Sequence, residues 1–219
     1  MITLSTIISL VIAYCMGSIP TAVWIGKIFY NTDVREYGSG NAGATNTFRV
    51  LGKKAGIPVL LIDALKGFGA VSLVHIFAEE PISTAGFANY QLALGIAAVL
   101  GHIFPVFAGF RGGKGIATLL GMMLAIHTEG ALLALAVFLI VFTLTRFVSL
   151  GSMSAAVSFP FIIVLVYQTT IPSLIVFSMF VSILVLVTHQ KNIERLFRRE
   201  ESKANISLKN IIRQAAEDD

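Results

Sequence analysis

Apolar runs separated by short polar punctuation dominate the chain, and several approach the ~20 residues a helix needs to cross a bilayer. The first extends from Met1 to Lys27 and is interrupted by Gly17-Ser18-Ile19-Pro20, which predicts a kinked span. A polar stretch, Asn31–Lys54, precedes a second run, Ala55–Ala78, which is unusual in carrying Asp63 and Lys66. A weakly acidic link, Glu79–Tyr90, leads to a third run, Gln91–Ala108, and then to the glycine-rich segment Gly109–Gly115. The stretch Ile116–Thr145 divides in two. Ile116–Ile126 would rise only about 16 Å as helix, His127-Thr128-Glu129-Gly130 interrupts the pattern, and Ala131–Thr145 is again short. After Arg146–Ser154 come a run at Ala155–Tyr167, a link at Gln168–Pro172, a last run at Ser173–Thr188 and a polar tail from His189. The pattern predicts an all-α integral membrane protein with seven transmembrane helices, some short or kinked.

Composition agrees. Of 219 residues, 56% are hydrophobic and 13% charged, with a mean hydropathy of +0.83. Soluble domains carry about 25% charged residues, so this chain lacks the polar surface of a water-soluble globule. Disorder, a coiled coil and a secreted disulfide scaffold are excluded. The single cysteine, Cys15, has no internal partner and reads as a small packing residue. Ile2–Ile12 has neither the basic leader nor the cleavage site of a signal peptide and reads as part of a retained span.

The net charge of +4 does not indicate nucleic acid, because the basic residues sit at the ends of apolar runs. With seven spans and the tail in the cytoplasm, fifteen of the sixteen Lys and Arg fall on the cytoplasmic side and the other, Lys66, falls within a span. Glu79, Glu80 and Glu129 fall outside. This is the positive-inside distribution, and it puts the N-terminus outside. Merging the two short helices of Ile116–Thr145 would put Arg146 on the side of Glu79, so charge also favours the split. No internal repeat is evident, which weighs against an inverted-repeat transporter.

The unusual polar sequence gathers on the cytoplasmic side. Gly38-Ser39-Gly40-Asn41-Ala42-Gly43-Ala44-Thr45-Asn46 spells three spaced glycines but follows no strand, so a dinucleotide site is rejected. Its small residues still allow backbone N–H groups to approach an anion. A helix starting near Thr45 would add its positive end, and Arg49 offers a bidentate phosphate clamp. Gly101-His102-Ile103-Phe104-Pro105 and Gly112-Gly113-Lys114-Gly115 place a lysine in a glycine-rich turn ahead of a helix, although the Walker pattern fails at Ala108 and Gly115. Asp63 and Lys66 share a helical face at i, i+3, either as a structural pair or as functional groups. Ser149, Ser152 and Ser154 follow Arg146 as caps or phosphate ligands. His189, Asn192 and Arg195 share a face at i, i+3, i+6. Zinc-spaced histidines, a serine elbow and the His-x4-Asp acyltransferase signature are absent. Cations and small residues clustered on one face point to phosphorylated substrates. The competing class is a transporter for a phosphorylated solute, which would set its polar groups near the bilayer midplane.

In order and spacing, Gly38–Asn46 with Arg49, Asp63-x-x-Lys66-Gly67, Gly101-His102-x-Phe104-Pro105, Gly112-Gly113-Lys114-Gly115 and His189-x-x-Asn192-Ile193-x-Arg195 resemble the bacterial acyl-phosphate-dependent glycerol-3-phosphate acyltransferases. The similarity runs from Met1 to about Arg199. It implies one membrane-embedded domain over residues 1–199, with 200–219 as a polar cytoplasmic tail to which no role is assigned. It further implies a multi-pass enzyme of the bacterial cytoplasmic (inner) membrane, with its site on the cytoplasmic face, acting at the first acylation of phospholipid synthesis. The substrates would be fatty acyl phosphate and glycerol 3-phosphate, the products 1-acyl-sn-glycerol 3-phosphate (lysophosphatidic acid) and phosphate. No cofactor or metal is expected, and a monomer would supply every motif. By position, Lys114, Arg49, Ser39, His189 and Asn192 would be the catalytic set. Gly38, Gly40, Asn41, Gly43, Thr45, Asn46, Lys66, His102, Gly112, Gly113, Gly115, Ser149 and Ser152 would bind substrate or phosphate. His189 or the acyl phosphate itself would accept the proton, with the second favoured.

Overall fold

The computed structural model describes residues 3–78 and 84–204, and these are helical with no strand. The first run forms α1 (Leu4–Gly17) and α2 (Thr21–Tyr30), bent by 41° at the break. Pro20 has no N–H to continue the ladder, which fixes the break there. The polar stretch contains the short helix α3 (Ala44–Leu51), followed by α4 (Lys53–Ser72) and its single-turn continuation α5 (Val74–Phe77). Beyond residues 79–83 runs α6 (Ala85–Ile103), then α7 (Ile116–Ile126), α8 (Thr128–Thr145) and α9 (Val148–Phe161), which relaxes into a π-turn at Ile162–Val166. The last run is α10 (Pro172–Thr188), bent by 60° into α11 (Gln190–Phe197).

Among the described residues, four segments are long and apolar enough to cross a membrane: 53–77, 85–108, 128–145 and 148–166. Counting each bent pair as one span raises the number to six, and α7 is a shorter apolar helix of 11 residues. The outward faces are apolar: on α8, Leu132, Leu139, Ile140 and Leu144 are all at least half exposed. Such a surface is stable only against hydrocarbon.

Glycines let the helix backbones touch. A Cβ at Gly17 would lie 2.0 Å from the Ala98 carbonyl oxygen, and one at Gly101 would lie 2.2 Å from that of Tyr14, which holds α1 against α6. A Cβ at Gly67 would lie 2.2 Å from the Thr118 oxygen, and one at Gly121 would lie 1.8 Å from that of Ala64, which holds α7 against α4. In a bilayer, packing of this kind replaces the hydrophobic effect as the force between helices.

Some boundaries differ from those expected. Helix α9 begins seven residues before Ala155, because its early serines find partners without breaking the helix: Ser152 Oγ donates to the Val148 carbonyl at 2.9 Å and Ser149 Oγ to Glu201 at 2.7 Å. The break expected over His127–Gly130 contracts to His127, whose Nδ1 accepts the Gly130 N–H at 3.1 Å and caps α8. Helix α6 starts at Ala85, before Gln91, with the Thr84 hydroxyl accepting the Phe87 N–H. Glu79 and Glu80 lie outside the described residues, as do Met1 and residues 205–219.

Candidate active site

Four segments that are distant in sequence meet around Lys114: the loop ahead of α3, the glycine turn, Ser149 and the stretch from His189 to Glu201. The first is the loop ahead of α3. Gly38 and Gly40 take left-handed φ values of 61° and 71°, and a Cβ at Gly38 would lie 2.4 Å from Asn46 Oδ1. Asn46 is buried and shapes this turn. Its Oδ1 accepts the Ser39 N–H at 2.9 Å, and its amide donates to the carbonyls of Val34 and Tyr37 at 2.7 and 3.1 Å. Ser39, Thr45 and Arg49 are exposed along the same rim, and Asn41 and Gly43 are half-buried.

This loop is tied to the glycine-rich segment. Asp33 takes a forked contact from Arg35, at 3.0 Å from Nε and 2.7 Å from Nη2, while Arg35 Nη1 donates to the Ala108 carbonyl at 2.9 Å. The Arg35 hydrogen bonds, with Lys27 at 3.2 Å, hold the Asp33 carboxyl well below the usual carboxylate range.

The glycine turn itself hangs from the end of α6. The Gly112 N–H donates to the Ile103 carbonyl and the Gly113 N–H to that of His102, each at 3.2 Å. A Cβ at Gly112 would lie 2.0 Å from the His102 oxygen. One at Gly113 would lie 2.3 Å from His102 Nε2 and 3.1 Å from the Ala42 carbonyl oxygen. The turn therefore threads between the first loop and His102, and only glycines fit. Gly115, at φ 80°, opens α7.

The Lys114 ammonium donates to Asn192 Oδ1. The Asn192 amide donates to Glu201 Oε1 at 2.7 Å, and Ser149 Oγ donates to the same oxygen at 2.7 Å. Arg195 Nε approaches Glu201 Oε2 at 3.1 Å without lining up as a hydrogen bond. His189, one residue past α10, is buried, and its Nδ1 lies 2.8 Å from the Val185 carbonyl. Nδ1 therefore carries the proton and Nε2 the free lone pair. Burial, reinforced by the charges of Arg195 and Arg49 against the opposing pull of Glu201, lowers the Lys114 ammonium to about 8. Burial and the nearby Lys114 charge lower His189 to about 4, so its ring is neutral at pH 7.

Three expected ligands do not join this group. Lys66 is buried, 2.9 Å from Asp63 and donating to the Ile19 carbonyl at 2.8 Å. His102 is also buried, beneath the glycine turn. Ser152 spends its hydroxyl on its own helix. Conversely, Glu201 lies in the segment given no role, yet it holds the cluster together. The tail returns to the bundle, with the Ala204 N–H donating to the Arg146 carbonyl at 2.8 Å and Lys203 Nζ 5.6 Å from the Phe147 ring centroid. The one sequence signal was an acidic pair, Glu200-Glu201, directly behind the cations of α11.

These features define a helical integral membrane protein with a cationic cluster at a bundle end, and comparison with known proteins narrows the class. The glycerol-3-phosphate acyltransferase family matches residues 7–199, and the chain belongs to that family. A glycerol-3-phosphate acyltransferase of Chlorobaculum tepidum is 41% identical over 92% of this chain and 97% of its own length. One of Enterococcus faecalis is 43% identical over 93% and 94%. The crystal structure of PlsY (YgiH), an integral membrane glycerol 3-phosphate acyltransferase, in its glycerol 3-phosphate form is similar with a TM-score of 0.80. It is 36% identical to this chain, over 92% of this chain and 96% of that one.

Proposed function

We propose that the chain transfers a fatty acyl group from acyl phosphate to the 1-position of sn-glycerol 3-phosphate, releasing 1-acyl-sn-glycerol 3-phosphate and phosphate. One observation carries the reading: half-buried Lys114 lies in the positive field of Arg195 and Arg49, and among the described residues the carboxylate bonded into its cluster is Glu201. That cluster has surplus positive charge for a phosphate monoester. The family's substrate and the lysophosphatidic acid form of a related crystal structure agree with it.

In this mechanism Lys114 and Arg49 hold the phosphate groups and stabilise the charge that develops on them. Ser39, Asn41 and Thr45 line the anion-facing rim shaped by Gly38, Gly40, Gly43 and Asn46, and Ser149 flanks glycerol 3-phosphate. The His189 Nε2 lone pair accepts a hydrogen bond from the attacking hydroxyl and, with Asn192, orients it. The hydroxyl oxygen adds to the acyl carbonyl carbon, the bond from that carbon to the phosphate oxygen breaks, and the hydroxyl proton leaves on the phosphate. Acyl phosphate is an activated mixed anhydride, so no covalent enzyme intermediate is needed. A histidine near pKa 4 is a weak base, which favours the departing phosphate as proton acceptor. In the membrane, α7 counts as a seventh, short crossing, the C-terminus and the site face the cytoplasm, and a monomer suffices.

The test is purified protein in detergent with acyl phosphate and radiolabelled glycerol 3-phosphate. Organic-extractable label and stoichiometric phosphate release are expected, with none from acyl-CoA. Absence of label with acyl phosphate refutes the reading.

A further inference from the structure

The bundle interior holds a second polar cluster that the reaction does not touch. Asp63 is 1% exposed and Lys66 6%. Asp63 Oδ1 accepts the Thr21 hydroxyl at 3.0 Å, pairs with Lys66 Nζ at 2.9 Å and lies 3.7 Å from His102 Nδ1. Lys66 also donates to the Ile19 carbonyl, at the break between α1 and α2. Burying an ion pair is costly, and a well-packed apolar pair of similar volume is often as stable or more so. The cluster therefore calls for a role other than stability.

Its geometry supplies one. The Nδ1 edge of His102 faces Asp63 at 3.7 Å, and its Nε2 edge lies against Gly113. The backbone carbonyls of His102 and Ile103 hold Gly113 and Gly112. The next residue is Lys114. A line of contacts thus runs from the helix break at Ile19 and Thr21, through Asp63 with Lys66 and then His102, to the turn that presents the lysine. We propose that Asp63 is a positioning residue for acyl transfer, acting through His102 to fix the Lys114 turn. The proposal rests on the reading of Lys114 as the cation of the reaction.

The test uses the full chain in detergent. Asp63→Asn alone would strand the buried Lys66 charge, so the pair is changed together as Asp63→Asn/Lys66→Met, and His102→Leu provides a second, independent route. Two readouts are taken: kcat and KM for glycerol 3-phosphate, and the pH at which Lys114 is half-labelled by an amine-acylating reagent, scored by mass spectrometry. Misplacement of a catalytic group by about 1 Å costs up to roughly a hundredfold in rate. The expected result is a fall of about tenfold to a hundredfold in kcat with a smaller change in KM. The half-labelling pH should rise from about 8 by roughly one unit or more, toward that of a solvated lysine. Because Asp63 acts through His102, adding the charge-pair change to His102→Leu should cost nothing further in kcat. A folded Asp63→Asn/Lys66→Met protein with unaltered kcat and labelling pH overturns the proposal, as do additive losses. If labelling shifts as expected while the unaltered protein shows no acyl transfer, the positioning role stands and the functional reading falls.

Discussion

Glu201→Gln probes the carboxylate at the centre of the cluster while preserving its shape. Glu201 accepts charge-assisted hydrogen bonds from Ser149 and Asn192, both at 2.7 Å, and its side chain is 6% exposed. Converting a hydrogen bond to a charged acceptor into a neutral one costs about 1 kcal/mol. The contact with Arg195, whose side chain is 36% exposed, is screened by water and adds less than about 1 kcal/mol. The expected loss is therefore roughly 2–3 kcal/mol, read as a fall in melting temperature in detergent. The electrostatic consequence has a definite sign. Glu201 raises the Lys114 ammonium against its burial, so without it Lys114 titrates below about 8. Activity that needs the charged ammonium is full below that pKa and lost above it. The alkaline limb of kcat/KM, near pH 8 in the unaltered protein, should move to lower pH in Glu201→Gln. This is opposite to the Lys114 shift expected for Asp63→Asn/Lys66→Met, so the two variants separate field from position. Assays across the alkaline range at saturating acyl phosphate measure it. An unmoved limb, or one moved upward, would refute the account of Lys114, and an unchanged melting temperature would refute the structural role of the tail.

Lys114→Ala should reduce turnover by about a thousandfold or more while the protein remains folded in the membrane, because it removes the central electrostatic contact; normal turnover would undo the site. His189→Gln keeps a group that can orient the hydroxyl but cannot serve as a base, so turnover should stay within roughly tenfold of the unaltered enzyme. A loss beyond about a hundredfold would instead make the histidine the proton acceptor. Gly121→Ala would set a Cβ 1.8 Å from the Ala64 carbonyl oxygen, a backbone contact no side chain can relieve, so α7 should separate from α4 and thermal stability in detergent should drop by several kcal/mol.

The helical frame was largely legible because its punctuation is covalent. Pro20 cannot donate, Gly115 opens α7 in a left-handed conformation, and Arg146 caps α8 at φ 62°; each marked a boundary in the sequence. Starts were missed where polar residues satisfy themselves locally. The serines after Arg146 read as a link, yet Ser152 bonds within the helix and Ser149 bonds to the returning tail, so their hydroxyls cost the helix little. The site was legible as residue types but less so as partnerships. Spacing put Asp63 and Lys66 on one face, and they are indeed 2.9 Å apart. Helical spacing says which residues share a face and nothing about what lies opposite it. That is why spacing leaves Lys66 open between a structural pair and a functional group, and why its phosphate-binding role comes only from the family resemblance, whereas the face it occupies meets the α1–α2 break and not the surface turn. The same gap hid Glu201. An acidic residue behind a basic helix end looks like a solvated tail until the left-handed turn at Arg199 (φ 58°), closed by the Glu201 N–H donating to the Arg195 carbonyl at 3.2 Å, folds it back onto Ser149, and only then does one carboxylate account for the arrangement of Ser149, Asn192 and Arg195 together.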